Sequence, residues 1–210
     1  MYSVKEVYYT LQGEGAQTGR PAVFCRFSGC NLWTGREEDR ADAHCTFCDT
    51  DFVGTDGPGG GKFDTAGDLA AHVKSFWPGE FDGHPYVVCT GGEPLLQLDE
   101  TLIEAFHGAG LEVAIETNGT QSAPVGVDWI CVSPKPGPEM VLVNGHELKL
   151  VYPQEDLQPE QFANMDFHHF FLQPMDGPNQ DANIQAAAEY CLKNPQWRLS
   201  LQTHKLIGLP

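Results

Sequence analysis

Two hydrophobic rhythms alternate along the chain. Short apolar runs rich in β-branched and aromatic residues recur at 22–28 (AVFCRFS), 85–90 (PYVVCT), 111–117 (LEVAIET), 128–133 (DWICVS), 147–152 (ELKLVY), 168–173 (HHFFLQ) and 197–204 (WRLSLQTH). Several are continuous rather than alternating, as in parallel strands buried on both faces. Between them a helical period predicts helices over 64–77, 98–110 and 179–194. The first has an Asp or Thr cap and the second ends at glycine. Residues 1–14 read as an added strand or hairpin ahead of the first core strand.

Strands that alternate with helices predict an α/β fold with a mostly parallel sheet. Six or seven strands stand against only three or four helices, and a full eightfold barrel takes about 250 residues. The expected architecture is therefore a shortened, partial (β/α) barrel with an N-terminal hairpin. Neither an internal repeat nor an interdomain linker interrupts the pattern, so 1–210 reads as one domain. Within it, 29–52 is a polar loop and 53–63 (VGTDGPGGGKF) a flexible glycine-rich one. The latter is no P-loop, because Lys62 is not followed by Ser or Thr and no strand precedes it.

Composition narrows the class. Hydrophobic residues make up 41% of the chain, yet no apolar run approaches the roughly 18 residues of a membrane span. The first ten residues lack the basic start and apolar stretch of a signal peptide. A cytoplasmic chain with reduced thiols is expected, and seven cysteines cannot close into pairs. A net charge of −17 repels phosphate backbones, which argues against nucleic-acid partners.

Ligands of parallel α/β sheets gather at the carboxyl ends of the strands. There the sequence places SGC (28–30), TGGEP (90–94), ETNGT (116–120), SPKPG (133–137) and QPMDG (173–177). Five unusual strand ends on one rim outline a site.

Cys30, Cys45 and Cys48 share the polar loop, whereas Cys25, Cys89, Cys131 and Cys191 fall in strand or helix patterns and read as core filling. Structural zinc wants four closed ligands. The nearest fourth candidate, His44, adjoins Cys45 and would point elsewhere. Three thiolates can instead hold a [4Fe–4S] cluster with one iron left open, since such clusters otherwise take four cysteines. Residues alone leave a zinc-stabilised binding module and a cluster enzyme as alternatives. Colour separates them, because only the cluster protein is brown.

The loop resembles that of radical S-adenosylmethionine enzymes, which carry C-x3-C-x2-C with an aromatic residue just before the last cysteine. Cys45, Phe47 and Cys48 match, while fourteen residues rather than three follow Cys30. A polar insertion can bulge from a loop at modest closure cost. TGGEP resembles the superfamily's GGEP element, where glycines admit a methionine moiety closely and Glu93 can accept from its ammonium group. Nearly the whole chain resembles the 7-carboxy-7-deazaguanine synthase family. That resemblance rests on TLQGEG (10–15), VFCRFSGCNLW (23–33), CTFCDT (45–50), TGGEP, ETNGT, SPK and QPM. The widened cysteine spacing and a barrel with fewer helices both occur there.

The resemblance implies a radical lyase of queuosine and deazapurine biosynthesis. It would convert 6-carboxy-5,6,7,8-tetrahydropterin to 7-carboxy-7-deazaguanine plus ammonia by hydrogen abstraction at C6 and ring contraction, with no protein acid or base assigned. Cys30, Cys45 and Cys48 would hold the [4Fe–4S] cluster and Thr50 a Mg²⁺ ion. S-adenosylmethionine would meet Phe47, Gly92, Glu93, Thr117, Asn118, Ser133, Lys135 and Gln173. The pterin would meet Leu11, Gln12, Gly13, Glu14, Arg26, Thr90, His204 and Pro210. Arg26 also stands out unaided, as a carboxylate fork among apolar neighbours in a chain with twelve basic residues. A flavodoxin- or ferredoxin-type reductant and a homodimer are implied as well. An activating enzyme that abstracts hydrogen from a partner protein is the neighbouring alternative, but it usually has the short cysteine spacing. His168 and His169, adjacent on one strand, face opposite ways and read as structural.

Overall fold

The computed structural model describes residues 1–79 and 83–210. In chain order the strands are β1 (Tyr2–Leu11), β2 (Pro21–Phe27), β3 (Gly61–Phe63), β4 (Tyr86–Gly91), β5 (Glu112–Thr117), β6 (Trp129–Val132), β7 (Asn144–Tyr152), β8 (Asp166–Pro174) and β9 (Trp197–Leu199). Among the described residues four α-helices accompany them: α1 (Ala66–Lys74), α2 (Glu100–Gly108), α3 (Gln180–Lys193) and α4 (Thr203–Ile207). All nine strands join one sheet in the order β3-β1-β2-β4-β5-β6-β7-β8-β9. From β2 to β9 every pairing is parallel; β1 runs antiparallel to β2 and to β3.

This is the expected partial barrel, with no α-helix where the chain crosses from β5 to β6, from β6 to β7 or from β7 to β8, the last holding only a 3-10 turn at Pro159–Gln161. Those crossings are loops, so part of the sheet is not covered by helix. Capping fixes the helices that do form. Thr65 accepts a hydrogen bond from Asp68 N at 3.1 Å to start α1, and Asp99 accepts one from Leu102 N at 2.9 Å to start α2. Past α2 the backbone reverses at Gly110, whose φ of 73° favours glycine.

Alternation along the strands sorts two environments. Val23, Cys25 and Phe27 of β2, Val87 and Cys89 of β4, and Val113 and Ile115 of β5 point outward. They pack beneath Leu69 and Val73 of α1 and Leu102, Ile103 and Phe106 of α2. A second core joins Leu148 and Leu150 of β7, Phe170 and Leu172 of β8, Ala187 of α3 and Trp197. On the concave face, Ala22, Tyr86, Val88 and Ala114 close the amino end of the sheet. Nearer the carboxyl ends the same face turns polar, with Arg26 in register with Thr90 and Glu116 with Cys131. Cys25 and Cys89 are buried as core filling and Cys191 is half-buried on α3, but Cys131, though buried, departs from the core-filling reading because its sulfur faces Glu116 and Glu147 on the polar side of the sheet.

Two sequence readings change. The run 197–204 holds a strand only to Leu199, and its tail belongs to α4. The strand stops at Ser200, whose N still donates to Leu172 O of β8 at 2.9 Å while its hydroxyl accepts from Gly15 N at 2.9 Å. The glycine-rich run 53–63 contains β3 and is laced to β1: Gly57 N donates to Lys5 O at 3.0 Å, and Val7 N donates to Pro58 O at 2.8 Å. Its glycines serve close approach, since a Cβ at Gly59 would come within 2.8 Å of Val7 O.

Candidate active site

The carboxyl ends of the parallel strands surround a cavity of about 450 Å³. Its wall includes eighteen of the twenty sequence-selected residues. The two exceptions, Cys30 and Glu93, lie just behind. Cys30 packs against Gly92, where an added Cβ would collide with Gly29 O and come within 2.7 Å of Cys30 Cβ. Gly91, at φ 155°, crosses equally close to the Phe27 backbone. The double glycine thus lets the β4 turn meet the cysteine loop. Gly92→Ala is expected to destabilise the chain by roughly 1–3 kcal/mol through overpacking against backbone, read as a lower denaturant midpoint. An unchanged midpoint would contradict the close packing.

Glu93 is fully buried and takes three hydrogen bonds: from Leu95 N at 3.0 Å, Thr117 Oγ1 at 2.7 Å and Asn118 N at 2.8 Å. Burial pushes its carboxyl pKa up, against the pull of those donors. Its carboxylate therefore sets Thr117 and Asn118 on the cavity wall rather than standing on that wall itself. Asn118 in turn donates to Asn31 Oδ1 at 3.0 Å, tying the ETNGT turn to the cysteine loop.

Cys45 and Cys48 share a hydrogen bond that favours one thiolate, with Cys48 lowered and Cys45 raised. Lys135, whose ammonium donates to Ser133 O at 2.8 Å and Ser133 Oγ at 2.6 Å, adds positive potential at both sulfurs. Burial raises the Cys30 thiol, while backbone N–H groups of Leu32 and Trp33 oppose it. Three sulfurs on one loop, with a lysine and backbone donors beside them, suit a thiolate-held iron–sulfur cluster. Gln173 is 5% exposed, and neither its Oε1 nor its Nε2 has a partner. A buried amide lacking both its donor and acceptor partners fits an unbound polar ligand such as S-adenosylmethionine. Thr50 stands between Asp49 and Asp51 on the same wall, an oxygen-rich setting that suits Mg²⁺.

The opposite wall is built from both ends of the chain. Thr203 N and Oγ1 both donate to Gly13 O, at 3.0 and 2.9 Å, and Thr10 Oγ1 donates to Pro210 O at 3.1 Å. Gly13 has no side chain because the His204 ring occupies that space. Burial lowers the His204 pKa, so its imidazole is neutral at pH 7. Arg26 donates from Nε to Glu6 Oε1 at 2.8 Å and from Nη2 to Tyr8 OH at 3.0 Å, which steadies the guanidinium on the cavity wall.

Sequence reasoning missed the charge beneath this wall. Lys149 of β7 is 4% exposed and pairs with Glu14 Oε2 at 2.7 Å and Glu116 Oε2 at 2.8 Å. Gln12 Nε2 donates to the other oxygen of Glu116 at 3.1 Å. Glu116, Cys131 and Glu147 bring ligating atoms within 4.8 Å of one another. Burial raises the Glu147 carboxyl, and burial likewise holds the Cys131 thiol protonated. The available signal was Glu147 and Lys149 inside an otherwise apolar strand run, in a chain poor in basic residues. Asp49, Asp51 and Lys205 were also missed. Lys205 Nζ reaches Asp49 Oδ2 at 2.9 Å and Asp176 Oδ2 at 2.5 Å, while Lys5 Nζ reaches Asp51 Oδ2 at 3.0 Å.

Comparison with known proteins decides the family. Over 209 residues the chain is 66% identical to the 7-carboxy-7-deazaguanine synthase of Caulobacter vibrioides, covering 100% of this chain and 99% of that one. The chain belongs to the 7-carboxy-7-deazaguanine synthase family. The synthase of Bordetella pertussis is likewise 66% identical with the same coverage, and that of Bacteroides thetaiotaomicron is 39% identical. Among solved structures, QueE from Escherichia coli superposes with a TM-score of 0.70 at 26% identity, over 95% of this chain and 93% of that one. No family model matches the chain. As members of an enzyme family, such synthases give the cavity a catalytic setting. Among the described residues no helix is long and apolar enough to cross a membrane.

Proposed function

We propose that this chain is a radical S-adenosylmethionine lyase that converts 6-carboxy-5,6,7,8-tetrahydropterin to 7-carboxy-7-deazaguanine with release of ammonia. The observation that carries the reading is one polar cavity with the cysteine loop on one wall and Arg26, Glu14 and His204 on the other. Membership of the synthase family supports the substrate. When bound, the cluster and S-adenosylmethionine would supply the radical chemistry for hydrogen abstraction at C6.

The protein's own part is to bind, orient and exclude water. Lys135 favours thiolates at Cys45 and Cys48. Phe47 offers a face for adenine, and Ser133, Gln173, Thr117 and Asn118 offer polar partners for the rest of the cofactor. Gly92 allows its methionine end to approach the backbone. The Arg26 guanidinium on the cavity wall suits the substrate carboxylate. Thr50, with that carboxylate, would hold Mg²⁺.

Backbone groups of Leu11, Gln12 and Gly13, the Glu14 carboxylate, Thr90, His204 and Pro210 suit the amino-pyrimidinone edge and ring. Lys149 keeps Glu14 ionised: burial alone would raise that carboxyl, and the neighbouring ammonium brings it below its ordinary value. A buried anion is then available to the N–H donors of the pterin. A flavodoxin- or ferredoxin-type reductant, a homodimer and a cytoplasmic setting complete the proposal.

The test is anaerobic incubation of reconstituted protein with S-adenosylmethionine, dithionite, Mg²⁺ and 6-carboxytetrahydropterin, followed by mass spectrometry. Product in excess of S-adenosylmethionine consumed supports the reaction and a catalytic cofactor. Accumulation of 5′-deoxyadenosine without the deazaguanine would overturn the substrate assignment.

A further inference from the structure

The insertion between Cys30 and Cys45 folds onto the cysteines rather than away from them. Its core is Arg40, at the end of a 3-10 turn spanning Glu37–Asp42. From Nη1 the guanidinium donates to Thr46 O at 2.9 Å and to Cys48 O at 3.0 Å, the two carbonyls that flank Phe47 in the C-x2-C turn. From Nε it donates to Glu37 Oε1 at 2.7 Å and Oε2 at 2.9 Å. Its flat face lies over the Trp33 ring, 4.2 Å from the centroid.

Trp33 is itself fixed. Its Nε1 donates to Arg36 O at 3.1 Å, and its edge meets Phe52 with centroids 5.7 Å apart. Thr34 Oγ1 donates to Asp39 Oδ2 at 2.6 Å and closes the same turn. Besides the two carbonyls that it holds, Arg40 is oriented by Trp33 and Glu37, both inside the segment between Cys30 and Cys45. A three-residue spacer would have no room for such a brace.

We propose that Arg40 is a positioning residue for the cysteine loop, and that its cationic charge tunes the reduction of the group those cysteines hold. The inference rests on the cluster reading above. Two physical effects act together. From Nη1 the planar group ties two carbonyls of one turn while Nε holds Glu37, a combination that a point charge does not reproduce in the same geometry. The positive charge, 28% exposed and stacked on an aromatic ring, lies beside Cys45 and Cys48. Net charge near an iron–sulfur cluster is one of the levers that set its potential. A cation favours the more negative, reduced form. Glu37 moderates this as the counter-anion on the solvent side.

Charge sign makes the idea testable. The full chain and its Arg40→Met, Arg40→Lys and Glu37→Gln variants are reconstituted anaerobically. Iron per chain is measured, and midpoint potentials are taken by reductive titration followed by electron paramagnetic resonance. Arg40→Met is expected to shift the midpoint negative and Glu37→Gln to shift it positive. Both shifts should shrink as ionic strength rises. Arg40→Lys should hold the potential near that of the parent while losing iron faster in air, because one ammonium does not hold the two carbonyls and Glu37 while stacking flat on Trp33.

Midpoints that stay put in both Arg40→Met and Glu37→Gln, or that move in the same direction, overturn the inference. Should Arg40→Met fail to take up iron, Glu37→Gln alone decides the sign. A parent protein that takes up no cluster would instead overturn the underlying reading.

Discussion

Cys48→Ala is expected to abolish both 5′-deoxyadenosine and deazaguanine formation, while Cys191→Ser is expected to leave both in place. The contrast follows from where the two thiols sit. Cys48 lies on the cavity wall, shares a proton with Cys45 and is the member of that pair whose pKa is lowered, so it holds the charge that a metal requires. Removing it leaves two sulfurs for a centre that needs three. Cys191 is half-buried on α3, against the second core and far along the chain from the cysteine loop. Iron analysis and the brown absorbance of anaerobic protein give the first readout, and product analysis the second. Cys48→Ala protein that kept its iron and its product would remove the cluster from the mechanism.

Lys149→Met is expected to lower folding stability by about 3–5 kcal/mol near pH 7, the usual cost of breaking a buried ion pair from one side. The ammonium is held protonated: burial works against its charge, and the neighbouring carboxylates of Glu116, Glu14 and Glu147 together outweigh that penalty. Without it, Glu14 keeps its burial but loses its cation.

The pH dependence then changes sign. In the parent protein the Glu14 carboxyl is depressed, so its contribution is present above the unfolded value of about 4.3 and is lost as pH falls through the folded one. In Lys149→Met burial raises that carboxyl, and stability is lost as pH rises above about 4.3. The deficit of the variant should therefore narrow between pH 7 and pH 5, as denaturant midpoints at the two pH values will show. Adding Glu14→Gln should recover part of the loss at pH 7. A deficit that widened at pH 5 would contradict the assignment of Lys149 as counter-ion.

Much of the scaffold could be read from local pattern. The parallel strands, the three longer helices and the shortage of helices come from periodicity, which depends only on neighbours a few positions away. The rim of the site was equally local, because each strand ends in a turn of unusual composition: SGC, TGGEP, ETNGT, SPKPG and QPMDG. What periodicity misjudged lay at the edges. Glycine content alone cannot tell a loose loop from one pressed against a strand. A tail such as THKLI, with Leu206 and Ile207 exposed, follows no strand alternation, so the run from 197 breaks at Ser200.

By itself, the amino-acid order determined which elements form, which strand ends meet and which three thiols share a loop. Only the tertiary structure decided which charges face one another. Lys149 meets Glu116 across 33 residues and Lys205 meets Asp49 across 156. It also decided that Glu93 works from behind the wall, and that the cysteine insertion is a brace rather than a spacer. The physical reason is range. Hydrophobic period and turn chemistry are short-range properties written into adjacent residues. A buried charge is tolerable only where its counter-charge arrives from elsewhere in the chain, and that meeting exists only once the sheet has curved.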